Sequence, residues 1–573
     1  MEMTWRPSRP PTDYEAQVWD DSWREFNAMI TERNLFAVQW EEVSELILPA
    51  WRNTFFYGSY NVQGMKKTDR QVDATGMVAL NRFAAICDSL LTPRNMKWHT
   101  LTTDNDYVMK DRQTQLWFED TTKRLFKYRY SPESNFASQN YQSFQQLGAF
   151  GNSGMFIDEF DDPNGRIRGL RYRCIPLGEL YFHEDHQGIV DGFVRHFRLT
   201  ARQAFQKWPD KLPECMRTAL EQKSEMKFNF LHRVCPRQDY EAGKLTEKGK
   251  PYASFYLCIE EKCLLEEGGY RTFPLGPSRY QQTPMETYGR GPAMNILPAL
   301  KTLNLEKRIF LKQGHRAADP VLMTNDDGVV GMSLRPGSMN KGGVTSDGKP
   351  LVHVLPTGEI QISKEMMAEE KQLINDEFLV NLFQILTESP QMTATEVIER
   401  TNEKGILLAP TVGRQQSEYL GPIIHRELDV LAAQGLLLPM PPALREAKGE
   451  YQVVYTSPLS RAMRAQEAAG FWRTVDQVKD VFAIAQDPSL LDPFDFDVAV
   501  PATAEINGTL PSWMADDKSI AKKRKNRADA QAQEQKIRAA PAQAALNSSQ
   551  AKMAAAGMQQ PGQQQPAAGP PQP

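Results

Sequence analysis

Seven consecutive residues, Gly343-Val-Thr-Ser-Asp-Gly-Lys349, satisfy the first seven positions of a phosphate-binding loop, in which backbone amides and a lysine cradle the phosphates of a nucleotide. The eighth position of such a loop needs a Ser or Thr hydroxyl for Mg²⁺ and the start of a helix aimed at the phosphates. Here it is Pro350, and the following LVHVLP reads as a strand, so the spacing predicts a glycine-rich hairpin loop. His183, Glu184, Asp185 and His186 are metal-ligating types in a row. Adjacent turn residues rarely converge on one ion, and Gly188 just beyond them marks a solvated turn. Asp158, Glu159, Asp161 and Asp162 straddle a predicted hairpin turn and read as solvated charges. No Ser/His/Asp or Cys/His set carries a local catalytic signature. An enzyme is not supported, and no cofactor or metal is expected.

The composition narrows the classes that remain. A chain of 573 residues, 41% hydrophobic and 24% charged, has the make-up of a globular protein of several domains. Its formal charge of −4 is too small for a bulk nucleic-acid coat or a membrane-surface binder, so any charge-based function must be local. The N-terminal MEMTWRPSRPPTDYEAQ lacks an apolar signal core and no apolar run is long enough to span a bilayer, which predicts a cytosolic chain with no membrane partner. Six cysteines without a C-x-x-C pair read as reduced, buried thiols.

The surrounding elements are legible from periodicity. YEAQVWDDSWREFNAMI, FAVQWEEVSELIL before Pro49, and DATGMVALNRFAAICDSLL before Pro93 predict a helical layer over residues 14 to 130. From Gly154, MFIDEF and RIRGLRYRCI alternate around Asp-Pro-Asn-Gly as a hairpin, and ELYFHEDHQGIVDGFVRHFRL and YASFYLCIEEKCLLEEGGYRTFPL predict more sheet. The fold class expected is α+β and predominantly helical. An N-terminal helical layer plus mixed α+β region is expected over 1–290. A kinked helix is expected over 394–435, a C-terminal α+β part over 436–514, and a basic, then Gln/Ala/Pro-rich disordered tail over 515–573.

The span from 291 to 434 has the most informative layout. Residues 291–317 open with Pro292 at a first helical position and predict a helix of roughly 39 Å, bent near Pro298. Residues 363–386 predict a second of about 36 Å, so the two form matched, antiparallel arms. Between them DPVLMT, VVGMSL and LVHVLP are short strands at the tip, too small a unit to bury enough apolar surface alone. That excursion must pack on another copy or a partner. Thr393 and Glu396 form a capping box that starts the next helix and delimits a six-residue loop of Thr387, Glu388, Ser389, Pro390, Gln391 and Met392. The arms differ in sign: Lys301, Lys307, Arg308, Lys312 and Arg316 lie on the first, and Glu365, Glu369, Glu370, Asp376 and Glu377 on the second. Such faces are either plainly solvated or fit side by side, within one subunit or between neighbours. The cluster Lys518, Lys522, Lys523, Arg524, Lys525 and Arg527 is either a solubilising tail or a phosphate-binding patch.

YGRGPAMNILPALKTLN at 288–304, the glycine-rich insertion, the second long helix and QMTATEVIER at 391–400 together resemble the portal, or head-to-tail connector, proteins of short-tailed bacteriophages. DATGMVALNRFAAICDSLLTPRNMKWHTL at 73–101, LGAFGNSGMFID at 147–158 and YTSPLSRAMRAQE at 455–467 extend the resemblance over most of the chain, in the family's order. The resemblance implies a portal fold of wing, stem, clip and crown regions, assembled as a homo-oligomeric ring, typically of twelve subunits, at one vertex of the capsid. Residues 291–317 and 361–386 would be stem helices, 318–360 the clip, 387–393 the tunnel loop, and the part beyond 436 would lead to the crown. The implied partners are double-stranded DNA in the channel, the terminase large subunit, tail and adaptor proteins, and capsid and scaffolding proteins. The implied location is the virion, after assembly in the host cytoplasm. The loop at 387–392 contains no Lys or Arg, so it would let DNA slide past rather than hold its phosphates. A nucleotide-dependent DNA-processing enzyme and a non-ring structural adaptor of a virion are the alternatives.

Overall fold

The computed structural model describes residues 12–109, 111–160, 168–324, 333, 335, 337–339, 341, 343–355, 360–381, 410–447, 449–456, 470–479, 493–506, 509, 511–515 and 517–556. It is 53% helical and 17% strand, a mixed helix and sheet protein in which helix dominates. The chain divides into a large unit, Met1–Gly508, and a small one, Thr509–Pro573.

The large unit opens with helix α1 (Asp13–Leu46), fixed at its start by a capping box in which the Thr12 hydroxyl accepts the amide of Glu15 and the Glu15 carboxylate accepts the amide of Thr12. Sequence periodicity predicts two helices here, and the structure joins them. The buried stripe Val18, Ser22, Phe26, Met29, Arg33, Ala37, Trp40 and Ser44 keeps a spacing of three or four without a phase break. Arg33, at its middle, is buried yet meets no carboxylate. Its guanidinium donates to the carbonyls of Leu177, Leu180 and Phe55 and to the Tyr181 hydroxyl, and lies 3.6 Å from the centre of the Tyr181 ring. The cation thus ties α1 to the turn before the main sheet.

Helix α2 (Thr75–Leu91), strand β1 (His99–Thr102), a short α3 (Asp106–Met109), α4 (Arg112–Arg129) and α5 (Phe136–Phe150) follow. The expected hairpin is present: β2 (Asn152–Glu159) pairs antiparallel with β3 (Leu170–Ile175), Gly154 opposite Ile175, although its turn residues Asp161 and Asp162 lie outside the described residues. The next strands are β4 (Leu180–Glu184) and β5 (Val190–Thr200); two helices, α6 (Ala201–Lys207) and α7 (Glu214–Gln222), separate them from β6 (Lys227–Pro236), β7 (Tyr252–Cys258) and β8 (Cys263–Tyr270). These five strands pair consecutively and antiparallel in one sheet. Strand alternation sends Phe230 to a core shared with Trp208 and Met216 and its neighbour Leu231 to one shared with Trp19 and Phe26, so α6–α7 and α1 cover opposite faces. Strand β9 (Leu275–Arg279) joins β2 and β3.

Two glycine-containing stretches of the sequence meet where the arms begin. Gly151, at φ +72°, ends α5, and a Cβ there would lie 2.4 Å from the amide nitrogen of Gly291. Asn152 fastens the contact, donating to Gly289 O at 2.8 Å and accepting from Gly289 N at 2.7 Å. Beyond it run α8 (Pro292–Asn295) and α9 (Leu297–Ala318), the break between them lying at Ile296, next to Pro298. Short strands β10 (Leu322–Thr324) and β11 (Val352–Val354) precede α10 (Ile360–Glu377). The large unit continues with a π-helical turn (Gln415–Leu420), α11 (Gly421–Ala433), α12 (Pro442–Glu446), β12 (Gln452–Tyr455), which pairs with β1, and α13 (Phe496–Ile506).

In the small unit, residues 517–556 are helical where disorder is expected from 515 onward, and residues 557–573 lie outside the described residues. Asp517–Ala556 is a 40-residue helix, α14. Its composition of Ala, Gln, Lys and Arg has high intrinsic helix propensity, a local property that needs no buried face. The disorder reading looked for an apolar stripe, and α14 has none.

Candidate functional site

Helices α9 and α10 pack antiparallel. Asn295, just before α9, donates to Glu377 at the end of α10 at 3.2 Å, while β10 and β11 close the far ends, with Leu355 N donating to Val321 O at 3.0 Å. The seam consists of Leu300 and Leu303 on α9 and Met367 and Ile374 on α10, all buried in the core that holds Trp40, Phe83 and Tyr288. At the base, Asn304 accepts the amides of Val72 and Asp73 and donates to Arg70 O, and Lys301 forms a 2.7 Å ion pair with Glu42. The arms are thereby rooted in the helical layer.

Away from the seam each helix presents a second, unpacked face. On α9 it carries exposed Leu305 and Ile309 together with exposed Arg308, Lys312 and Arg316. On α10 it carries exposed Met366 and Leu373 together with exposed Glu365, Glu369 and Asp376. Among the described residues no cation of α9 pairs with an acid of α10; Lys307 instead sits 5.7 Å from the Phe310 ring. The two arms do meet through one like-charged pair. Glu306 and Glu370 face each other, each with a buried Oε2 that has no hydrogen-bond partner, and burial followed by the Glu370 charge raises the Glu306 carboxyl above its ordinary range. Charge complementarity within the subunit is therefore not what joins the arms; apolar packing is. Glu306 is the lone acid of the first arm in the sequence, and its position among the seam residues of α9 is the signal for its place against Glu370.

The excursion between the arms shows no interior among its described residues. From 319 to 355 no residue of described burial is buried, and Val321, Met323, Met339, Val344, Val354 and Leu355 are exposed. Gly343–Lys349 forms a tight turn: Thr345 N donates to Lys349 O at 2.9 Å and Gly348, at φ +76°, donates back to Thr345 O at 3.0 Å. Pro350 then bridges to Val344 as an extended residue. No helix follows Lys349, so this stretch lacks the N-terminus on which a phosphate would sit.

The remaining candidates sort as follows. Asp185 accepts the amides of Gln187 and Ile189 within its turn, His183 meets Asp191 at 3.0 Å, and Glu184 pairs with Arg279, so these side chains diverge. Asp158 lies 3.8 Å from Arg426; burial raises its carboxyl, against the pull of that arginine. Among the described residues no His, Cys, Asp or Glu group has the arrangement of a metal site, and all six cysteines are free thiols. Thr387, Glu388, Ser389, Pro390, Gln391, Met392, Thr393 and Glu396 lie outside the described residues.

What brackets that segment is well fixed. On its C-terminal side Gln415 accepts from the Ser278 hydroxyl at 2.5 Å and donates to Arg279 O at 2.9 Å, and Arg279 donates to Glu418 at 2.9 Å. Further along the same helical run, Glu427 of α11 is wholly buried against Arg129 of α4 and accepts the Tyr172 hydroxyl at 2.5 Å. Trp98 and Phe126 lie 4.5 and 4.8 Å from that guanidinium. Burial and then the Glu427 charge push the Tyr172 hydroxyl well above its ordinary range, while Arg129, although burial disfavours its charge, is held charged by Glu427.

A family model described as bacteriophage head to tail connecting protein matches residues 22–514. A probable portal protein of Bordetella phage BPP-1 is 27% identical over 524 residues, covering 87% of this chain and 89% of that protein. The portal protein of Salmonella phage epsilon15 is 27% identical over 509 residues, with the same coverage of both chains.

Proposed function

The chain belongs to the bacteriophage head to tail connecting proteins, structural connectors rather than enzymes, and from that membership we propose that it is a portal: a ring of identical subunits at one capsid vertex, through which double-stranded DNA enters and leaves. The observation that carries the ring is the excursion between α9 and α10. It exposes Val321, Val344, Val354 and Leu355, and none of its described residues is buried, so its apolar surface needs neighbours, and closed rotational symmetry supplies one on each side. The outer faces of the arms support the same assembly. Leu305 and Ile309 amid Arg308 and Lys312 on one subunit complement Met366 and Leu373 amid Glu365 and Glu369 on the next. Each subunit then uses α9 toward one neighbour and α10 toward the other, a head-to-tail contact that closes into a ring.

In this reading 291–317 and 361–386 form the stem, 318–360 the clip that meets the terminase large subunit and later the tail or adaptor proteins, and 387–393 the tunnel loop. Capsid and scaffolding proteins surround the rest, during assembly in the host cytoplasm and afterwards in the virion. Negatively stained electron micrographs and mass measurement of the purified full-length protein test the proposal. Annular particles with a central hole about as wide as a duplex, of a mass near twelve subunits, are expected. A folded monomer at micromolar concentration would overturn it.

A further inference from the structure

We infer that the first half of α14 is a further DNA-binding surface, one that needs no threading of DNA through a ring, and that it contacts the phosphate backbone of duplex DNA without reading its sequence. The charge of the chain is segregated. Residues 509–573 hold nine Lys and Arg against four Asp and Glu, whereas residues 1–508 hold 58 against 67. Most of that excess falls in ten residues, at Lys518, Lys522, Lys523, Arg524, Lys525 and Arg527. The structure places them on a continuous helix whose side chains are exposed from Ala521 to Ile537. Lys522, Lys523, Lys525 and Arg527 form no ion pair among the described residues.

The arrangement costs the helix stability. Lys518 with Lys522, and Lys523 with Arg527, are two pairs of like charges four residues apart, a spacing that places them side by side. A tail that only had to stay soluble would be served as well by mixed charges, which avoid that penalty. A dense external negative charge removes it. At 100° per residue the six cations point to all sides of the helix rather than to one face, and within α14 the large apolar side chains nearest them are Ile520 and Ile537, the exposed Trp513 lying before the helix starts. A folded protein partner would need an apolar anchor or a defined face. Duplex DNA needs neither, because its phosphates are matched by point charges presented in any orientation.

The test uses the intact full-length protein and two duplex probes of unrelated sequence, one a linear fragment and one a covalently closed circle, which cannot thread a channel. Binding is measured across a potassium chloride series for the wild type, for K522Q/K523Q/K525Q/R527Q, and for a control with the exposed residues Lys211, Arg217, Lys223 and Lys227 changed to Gln. The wild type should bind both probes with a steep logarithmic salt dependence. The α14 variant should lose about one unit of slope per residue changed and bind about tenfold or more weakly at 0.1 M salt, on the circle as on the line, with particle mass unchanged. The control should behave as wild type. Equal slopes for wild type and α14 variant, an equal loss in the control, or binding of the linear probe alone would each overturn the inference. Transfer of the effect to an acidic protein while DNA binding is unchanged would do the same. Loss of rings with circle binding retained would instead count against the portal reading and leave α14 as assigned.

Discussion

Replacing Glu427 alone should destabilise the protein far more than replacing it together with Arg129. Both side chains are wholly buried, the guanidinium has Trp98 and Phe126 against it, and the carboxylate is also the acceptor for Tyr172. Glu427→Leu leaves a cation with no counter-charge and a hydroxyl with no acceptor. Breaking such a pair from one side costs about 3–5 kcal/mol, and the orphaned hydroxyl adds about 1–3 kcal/mol where water cannot replace the acceptor. Arg129→Met with Glu427→Leu removes both charges and fills the space with apolar volume, so the double variant should recover most of that loss and leave chiefly the Tyr172 term. Urea unfolding followed by tryptophan fluorescence reports the change directly, because Trp98 lies against the guanidinium. The single variant should unfold at a markedly lower midpoint, and the double variant well above it, short of wild type only by the loss of the Tyr172 hydrogen bond. If the two losses simply add, or if Glu427→Leu unfolds with the wild type, the pair is not the junction between α4 and α11 that the geometry indicates.

Four other outcomes follow from the same structure. Changing Arg308 and Lys312 to Glu should abolish rings, and combining that change with Glu365→Lys and Glu369→Lys should restore them, as read by particle mass; failure of the combination would exclude the proposed contact between α9 and α10 of neighbours. Glu306→Gln should raise the thermal midpoint at pH 8 and do little near pH 4. A carboxyl whose folded pKa is raised is protonated more readily in the folded state, so its unfavourable contribution grows as pH rises, and no difference between the two pH values would count against the facing acids. His196, whose pKa burial and then the Arg33 and Arg198 charges lower to about 4, should weaken the fold as pH falls from 6.5 toward that value, because the unfolded chain takes up the proton first. That acid sensitivity should be smaller in His196→Phe. Glu388→Lys with Gln391→Lys should slow DNA passage during packaging or ejection, by adding phosphate contacts in the proposed tunnel loop, and unchanged kinetics would refute a sliding role for that loop.

The sequence by itself determined what depends on neighbours along the chain. Strand alternation in MFIDEF and LRYRCI yields a hairpin, since each residue's face follows from its own position, and Pro350 after Gly348-Lys349 already favours a hairpin loop over a phosphate loop. Helix periodicity and unit size are local quantities, so the first arm is legible in the sequence, whereas the second, expected over 363–386, ends at Glu377 with Leu379 at φ +60°, and residues 382–386 lie outside the described residues. The propensity that makes α14 helical was equally present, but weighing it against the missing apolar stripe gave the wrong outcome.

Only the tertiary structure decided which charges meet. The acids of α10 were as consistent with pairing to α9 in the same subunit as with facing outward, and packing settled that Leu300, Leu303, Met367 and Ile374 occupy the seam and bring Glu306 against Glu370. Arg33, Arg129 and Arg279 are unremarkable as letters in a chain. Their weight comes from carbonyls and carboxylates far away in sequence, 144 residues in the case of Arg33 and Leu177 and 298 in that of Arg129 and Glu427. Electrostatic energy depends on distance and burial, neither of which composition or spacing contains.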